Sequence, residues 1–111
     1  MVVMDAANGA VIATVDIGRG SDGCGFDPAK RLAYSSNGGD GTVTIIGEPE
    51  PGKFKVVATV PTQATARTMT IDPKTHRLYL AAATPVPAPA QKKGGRRGSV
   101  PGSFVIVVVG D

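Results

Sequence analysis

The sequence contains few of the residues from which catalytic and metal-binding sites are usually built. Its 111 residues include one cysteine, Cys24, one histidine, His76, and no tryptophan. One cysteine excludes a disulfide within the chain, and one histidine excludes a metal centre made from several histidines. We therefore expect Cys24 to be a small buried apolar side chain and His76 to be a solvated turn residue. No metal ion and no cofactor is predicted.

Helical patterns and long hydrophobic runs are also missing. No segment places apolar residues at the three- and four-residue spacing of an amphipathic helix. The most apolar run, FVIVVVG (Phe104 to Gly110), is much shorter than the ~20 residues that cross a bilayer as a helix, so no membrane span is predicted. Val, Thr, Gly and Pro favour strands joined by turns. The chain is therefore predicted to be all-β, with a single domain over residues 1–111.

Positive charge is concentrated in one segment. The net charge is +3, but four of the twelve basic residues lie within six positions, at Lys92, Lys93, Arg96 and Arg97. The surrounding sequence at 84–102 is rich in Pro and then in Gly, which predicts a flexible loop. The rest of the chain is close to neutral, which argues against a broad nucleic-acid-binding face. The loop is predicted to aid solubility, with binding of an anionic partner as the alternative.

The sequence repeats itself with a period near 45 residues. VIATVDIGRGSDGCGFDP (Val11 to Pro28) aligns with VVATVPTQATARTMTIDP (Val56 to Pro73). After the shared Asp-Pro dipeptide, RLAY (31–34) aligns with RLYL (77–80) if one residue is inserted in the second turn. A repeat of this length made only of strands is typical of β-propeller blades, which have four strands each.

The repeats are predicted to form sheets of two, four and three strands. If the strands of a blade are lettered A to D from the innermost outward, the first repeat supplies C and D, the second supplies A to D, and the third supplies A, B and C. The predicted strands are Met1–Asp5, Ala10–Ile17, Gly23–Asp27, Arg31–Ser36, Gly41–Gly47, Phe54–Val60, Arg67–Asp72, Arg77–Ala83 and Ser103–Val109. We interpret the Asp-Pro dipeptides that follow both A strands as turn-forming, because Asp closes a local hydrogen bond and Pro ends the ladder.

The repeat resembles the YVTN-type β-propeller repeat of YncE-like proteins. VVMDAANGAVIATVDIG and FDPAKRLAYSSNGGDGTVTII carry its Val-x-Asp, Asn-Gly and Asp-Pro features and its Tyr-containing B strand. The resemblance implies a partial propeller with blades C-D, A-B-C-D and A-B-C, and it implies no particular activity. It also implies a bacterial protein of the periplasm or the exterior, although no signal peptide is visible in this sequence.

So few blades cannot close a ring, because propellers have at least four. Blades at both ends would keep an apolar face bare, since a repeat buries that face only on its neighbour. We therefore expect a head-to-tail homo-oligomer, a piece of a longer propeller, or a smaller fold. In a head-to-tail assembly, A-B-C of one chain would meet C-D of the next, so one C strand would have to be displaced or swapped.

The predicted ligand site lies where the loops before the A strands meet the loops between B and C strands. The loops IGRGSDG, PTQATAR and NGGDGT contain polar residues that could line this site for a small-molecule ligand. The candidates are Arg19, Asp22, Asn37, Asp40, Gln63 and Arg67. Asp22 and Arg67 hold equivalent positions in the repeat, so they could form an ion pair, remain solvated, or face the ligand.

These features predict a non-catalytic binding or scaffold module of β-propeller type. One alternative is a propeller hydrolase of the lactonase type, for which Asp22 and Asp40 are the suitably placed acids. The other is a binder of anionic polymers through the basic loop. A calcium site at Asp40 is not predicted because too few oxygen ligands lie nearby, and no helix follows GRGSDG to make it a phosphate-binding loop.

Overall fold

The computed structural model of the protein describes residues 1–87 and 98–110, which form nine strands and no helix. All paired strands are antiparallel, and each sheet follows the order of the chain. The first sheet contains β1 (Val2–Met4) and β2 (Val11–Thr14). The second contains β3 (Ser21–Asp27), β4 (Leu32–Asn37), β5 (Thr42–Glu50) and β6 (Lys53–Pro61), and the third contains β7 (Thr68–Asp72), β8 (Arg77–Ala82) and β9 (Val105–Val109). The predicted all-β fold, with sheets of two, four and three strands, is confirmed.

The Asp-Pro dipeptides form the turns that their sequence predicts. Asp27 Oδ1 accepts hydrogen bonds from the backbone N–H groups of Ala29 and Lys30, at 2.9 and 3.1 Å. Asp72 Oδ1 accepts the equivalent bond from Lys74, at 2.9 Å. Each carboxylate therefore closes the turn between an A strand and a B strand.

The two A–B turns have the same length, so the predicted one-residue insertion is wrong. Asp27 pairs with Leu32 in the second sheet, and Asp72 pairs with Arg77 in the third. The residue before each B strand has a positive φ, 54° at Arg31 and 59° at His76. Matching the two Arg-Leu dipeptides, at 31–32 and 77–78, placed the two B strands one residue out of alignment. The true offset is 45 throughout this hairpin, and it aligns Tyr34 with Tyr79.

The main core lies between the second and third sheets. Its buried members are Tyr34, Val43, Ala66, Leu78, Leu80 and Ala82. Burial of each leucine or valine side chain here contributes roughly 1.5–3 kcal/mol. The inner strands β3 and β7 approach closely because Gly23 has no side chain: a Cβ there would lie 2.7 Å from the carbonyl oxygen of Arg67.

The first sheet leaves part of the second sheet uncovered. It contacts that sheet along the outer strands β2 and β6, and Ile46 on the covered face is buried. Near β3 the same face is open, with Phe26 58% exposed. The prediction that Cys24 is buried is therefore wrong, because this cysteine is exposed on the open part of this face.

The prediction that His76 is a solvated turn residue is also wrong. Its side chain is half-buried, and its ring bonds the buried carboxylate of Asp27 on the neighbouring sheet. The two A–B turns therefore contact each other.

The ends of the segment 84–102 pair with each other. Val86 donates its N–H to the carbonyl of Gly98, at 2.9 Å, and Val100 donates to Thr84, at 2.9 Å. The basic residues Lys92, Lys93, Arg96 and Arg97 lie outside the described residues, so the interpretations of that loop stay predictions. Within residues 1–87 and 98–110, no helix is long and apolar enough to cross a bilayer.

Candidate ligand-binding cleft

A cleft of about 450 Å³ opens between the second and third sheets. It lies at the ends of β4 and β8, away from the A–B turns. Gly38 and Gly39 of the B–C loop form one wall, and the residues before and at the start of β7 form another. The structure thus brings together the two kinds of loop that were expected to border a ligand site.

Arg67 is the one charged residue in the described lining of the cleft. Its backbone is held tightly, because the buried Ser36 hydroxyl donates a hydrogen bond to its carbonyl oxygen. A Cβ at Gly38 would lie 2.7 Å from the Cβ of Arg67, so the glycine leaves room for this residue. In the described part of the chain, no carboxylate pairs with the exposed guanidinium.

Asp22 therefore does not form the ion pair with Arg67 that the repeat allowed. Its Oδ2 accepts a hydrogen bond from the Thr68 hydroxyl at 3.3 Å, which links the second sheet to the third. Asp22 is exposed and lies outside the cleft lining, while Thr68 contributes to that lining. Asp22 is therefore exposed to solvent outside the cleft, whereas Arg67 lines it.

Thr65 lines the cleft in an unusual backbone conformation. Its φ is 80°, a region that β-branched residues rarely occupy and that costs about 1–3 kcal/mol. Three contacts hold it there. Its hydroxyl donates to the Ala83 carbonyl at 2.6 Å and accepts from the Ala83 N–H at 3.2 Å, and its own N–H donates to the Gly38 carbonyl at 2.8 Å. Backbone strain that surrounding contacts maintain is often found at functional sites.

Arg19 and Asp40 form an ion pair near the cleft without lining it. Asp40 Oδ1 lies 2.8 Å from Arg19 Nε, and Oδ2 accepts the backbone N–H of Arg19 at 2.8 Å. These two hydrogen bonds hold the pKa of Asp40 below its ordinary value. The two residues therefore join the loop before β3 to the loop after β4.

Asn37 and Gln63 also lie outside the cleft lining. The Asn37 side chain is fully buried, and its amide donates to the hydroxyls of Thr44 and Thr42, at 2.8 and 3.1 Å. Its Oδ1 accepts from the Ser35 hydroxyl at 3.2 Å. Since these bonds engage both ends of the amide, Asn37 stabilises the second sheet and is not presented to a ligand. Among the six predicted site residues, Arg67 alone contributes to the cleft.

Three further residues line the cleft but were not predicted to do so, namely Thr65, Thr68 and Phe104. Phe104 is 66% exposed, although it begins the most apolar run of the chain. Nothing in its apolar surroundings marked Phe104 as an exposed cleft residue. The φ of Thr65 left no signal, because it results from contacts with Gly38 and Ala83 that are distant in sequence.

Metal chemistry and known relatives add no further assignment. Within the described ranges, no three His, Cys, Asp or Glu residues are grouped as metal ligands. Comparison with protein-family models, with curated proteins and with solved structures finds no match. The resemblance to the YVTN-type repeat therefore stays a prediction.

Proposed function

We propose that this protein is a non-catalytic β-propeller-type binding module, and that the cleft holds a small anionic ligand. The observation that carries the proposal is the guanidinium of Arg67, which pairs with no carboxylate among the described residues and lies in a cleft whose described lining contains no carboxylate. A guanidinium binds carboxylate and phosphate groups through parallel N–H···O bonds. An anionic group is therefore the expected partner of Arg67.

The rest of the cleft favours a ligand that also has an apolar part. Phe104 and the alanines at the end of β8 supply an apolar wall. Thr68, which follows Arg67 in the chain, also belongs to the lining. The volume of about 450 Å³ falls within the roughly 300–1,000 Å³ of small-molecule sites. A ligand with one anionic group and a short apolar or aromatic body fits these features.

A hydrolase of the lactonase type has weaker support. Its candidate acids were Asp22 and Asp40, and neither contributes to the cleft lining. Asp40 is engaged by Arg19, and Asp22 accepts a bond from Thr68. Binding of anionic polymers through Lys92 and its neighbours also remains a proposal, which rests on composition alone.

The exposed sheet faces support a second part of the proposal, that the module is completed by further sheets. β1 and β9 each pair with one strand among the described residues, and both carry exposed apolar side chains. Either other copies of the chain or the rest of a longer propeller would cover them. Open strand edges of this kind favour association.

Titration followed by amide NMR tests the ligand site. We expect benzoate and phenyl phosphate to shift the amide signals of Gly38, Gly39 and Thr68, and we expect benzylamine, which has a similar body and a positive charge, to leave them unchanged. Arg67→Gln should weaken the anion binding at least tenfold. Arg31→Gln is the matched control, because Arg31 lies at the opposite end of β4.

Two results would contradict the proposed function. One is the absence of cleft shifts with any small carboxylate or phosphate at millimolar concentration while the protein is folded. The other is anion binding that Arg67→Gln and Arg31→Gln affect equally, since that would indicate a non-specific charge effect.

A further inference from the structure

Two sheet faces expose apolar side chains, one on the second sheet and one on the third. The Phe26 face, on β3 of the second sheet, carries Cys24 and Phe26. The Ile106 face is the outer face of the third sheet and carries Thr70, Tyr79, Ile106 and Val108. Ile106 is 51% and Val108 50% exposed. Grouped apolar side chains on a protein surface indicate a contact surface.

The Phe26 face corresponds to a face that is already packed elsewhere in the chain. With the offset of 45 residues, Cys24 aligns with Met69, and Phe26 aligns with Ile71. Met69 and Ile71 pack on the second sheet, where both lie close to Gly25. The Phe26 face is therefore the repeat equivalent of the inner face of the third sheet.

The Ile106 face corresponds to the other half of the same contact. Thr70 aligns with Gly25, and Tyr79 aligns with Tyr34, which is buried in the core between the second and third sheets. The pairing of β8 with β9 extends this alignment to Ile106, which takes the place of Val43. One molecule thus presents both halves of a contact that it also contains within itself.

The side-chain sizes of the two open faces complement each other. A Cβ on Gly25 would lie 3.3 Å from Cε of Met69, so a small residue faces a large one in the existing contact. At the equivalent open positions the two changes in size offset each other, since Thr70 is larger than Gly25 and Cys24 is smaller than Met69. Since close packing depends on summed volume, Thr70 and Cys24 can face each other as Gly25 and Met69 do.

We propose that the Ile106 face of one chain docks on the Phe26 face of a second copy, with Thr70 beside the second copy's Cys24. This inference rests on the second part of the proposed function, completion by further sheets, and names the partner and the faces. The contact joins two different surfaces, so it is heterologous, and repetition produces a ring or a filament.

Docking has a steric consequence for the second copy's β1. Both β1 and β9 are C strands: β1 pairs with the D strand β2, and β9 pairs with the B strand β8. Only one of them can lie between a docked β8 and the second copy's β2. β9 has five residues and β1 has three, so we infer that β9 displaces β1.

Disulfide trapping in the full chain tests the geometry. Cys24 is the single cysteine, so the wild-type chain can form nothing larger than a disulfide-linked dimer. Under mild oxidation at micromolar concentration, Thr70→Cys should form a ladder of linked multimers at least tenfold faster than Ala58→Cys. Ala58 is the control because it is an exposed strand residue that pairs with Ile45, on the side of the second sheet opposite to Cys24. Equal rates for the two variants would overturn the proposal.

Mixing of two variants provides a second test. Phe26→Asp and Ile106→Asp each destroy one half of the contact, so each alone should be monomeric by light scattering. A mixture retains one intact pair of faces and should form a 1:1 dimer. A wild-type chain that stays monomeric at 100 μM, or a mixture that does not associate, overturns the inference and leaves a segment outside these residues as the occupant. Anion titration of the wild-type chain and of Phe26→Asp reports separately on the proposed ligand site, because Phe26 lies outside the cleft lining. Ile106→Asp is left out of this titration, since Ile106 pairs with the cleft residue Ala81.

Discussion

His76 Nδ1 lies 2.6 Å from Asp27 Oδ2, and this bond joins the A–B turns of the third and second sheets. Asp27 is 1% exposed and His76 29%. Burial alone would raise the pKa of Asp27, but the N–H groups of Lys30 and Ala29 and the His76 ring together hold it below its ordinary value. One carboxylate therefore stabilises its own turn and the packing of two sheets.

The lowered pKa of Asp27 predicts a loss of stability in acid. The unfolded carboxyl has its ordinary pKa of 3.8 and takes up a proton more readily than the folded one. The stabilisation is thus complete above pH 3.8 and is lost as the pH falls through the lower folded pKa. Urea unfolding between pH 6 and 2 should show a smaller decline for Asp27→Asn than for the wild type. Asp16→Asn, at an exposed carboxylate, should follow the wild-type curve; equal curves for all three would contradict this role of Asp27.

Loss of the His76 ring should destabilise the protein more than loss of Arg31. Both residues have a positive φ at the same turn position, so alanine meets the same backbone cost in each. His76→Ala leaves Asp27 Oδ2 buried without this partner, whereas Arg31→Ala breaks an exposed ion pair with Glu48, and such pairs contribute about 0–1 kcal/mol. Urea unfolding at pH 7 gives the comparison, and an equal loss in both variants would show that the bond between the sheets contributes little.

At Thr65 the glycine variant should be more stable than the alanine variant, which is the reverse of the order at an ordinary strand position. Thr65→Ala removes both side-chain hydrogen bonds at an unfavourable φ and should cost about 1–3 kcal/mol. Thr65→Gly removes the same bonds but accepts the positive φ, so it should be about 1 kcal/mol more stable than the alanine variant. At Thr68, in β7, the alanine variant should be the more stable of the two. Chemical denaturation of the four variants tests this order; alanine above glycine at Thr65 would show that the strain is absent.

Gly38→Ala should both destabilise the protein and close the cleft. The added Cβ would lie 2.7 Å from that of Arg67, and overpacking of this kind costs roughly 1–3 kcal/mol. Because Arg67 must move, anion affinity should fall with stability. Gly98→Ala is the control for added volume in the cleft lining, since its Cβ would have an ordinary contact with Val86 at 3.6 Å and would not displace Arg67. Unchanged benzoate binding by Gly38→Ala would show that the position of Arg67 is not critical.

Part of the candidate site could be predicted, because its loops follow from the strand order. Arg67 was identified from its place before an A strand, and the structure confirms that it lies beside the B–C loop. Asn37 was expected beside it, but successive side chains in a strand point to opposite faces, and the hydroxyls of Thr42 and Thr44 are placed to bind its amide. Which polar residue faces a ligand depended on partners in other strands.

The sequence alone determined the strands, their number and their order in each sheet. Local chemistry explains this, since a turn such as that at Asp27 is closed by hydrogen bonds to residues two and three positions away. Only the tertiary structure decided that Asp27 also binds His76, 49 residues distant, that Cys24 is exposed, and that Thr65 is strained. These properties result from which sheets pack together and which faces remain open, and local sequence patterns do not encode that arrangement.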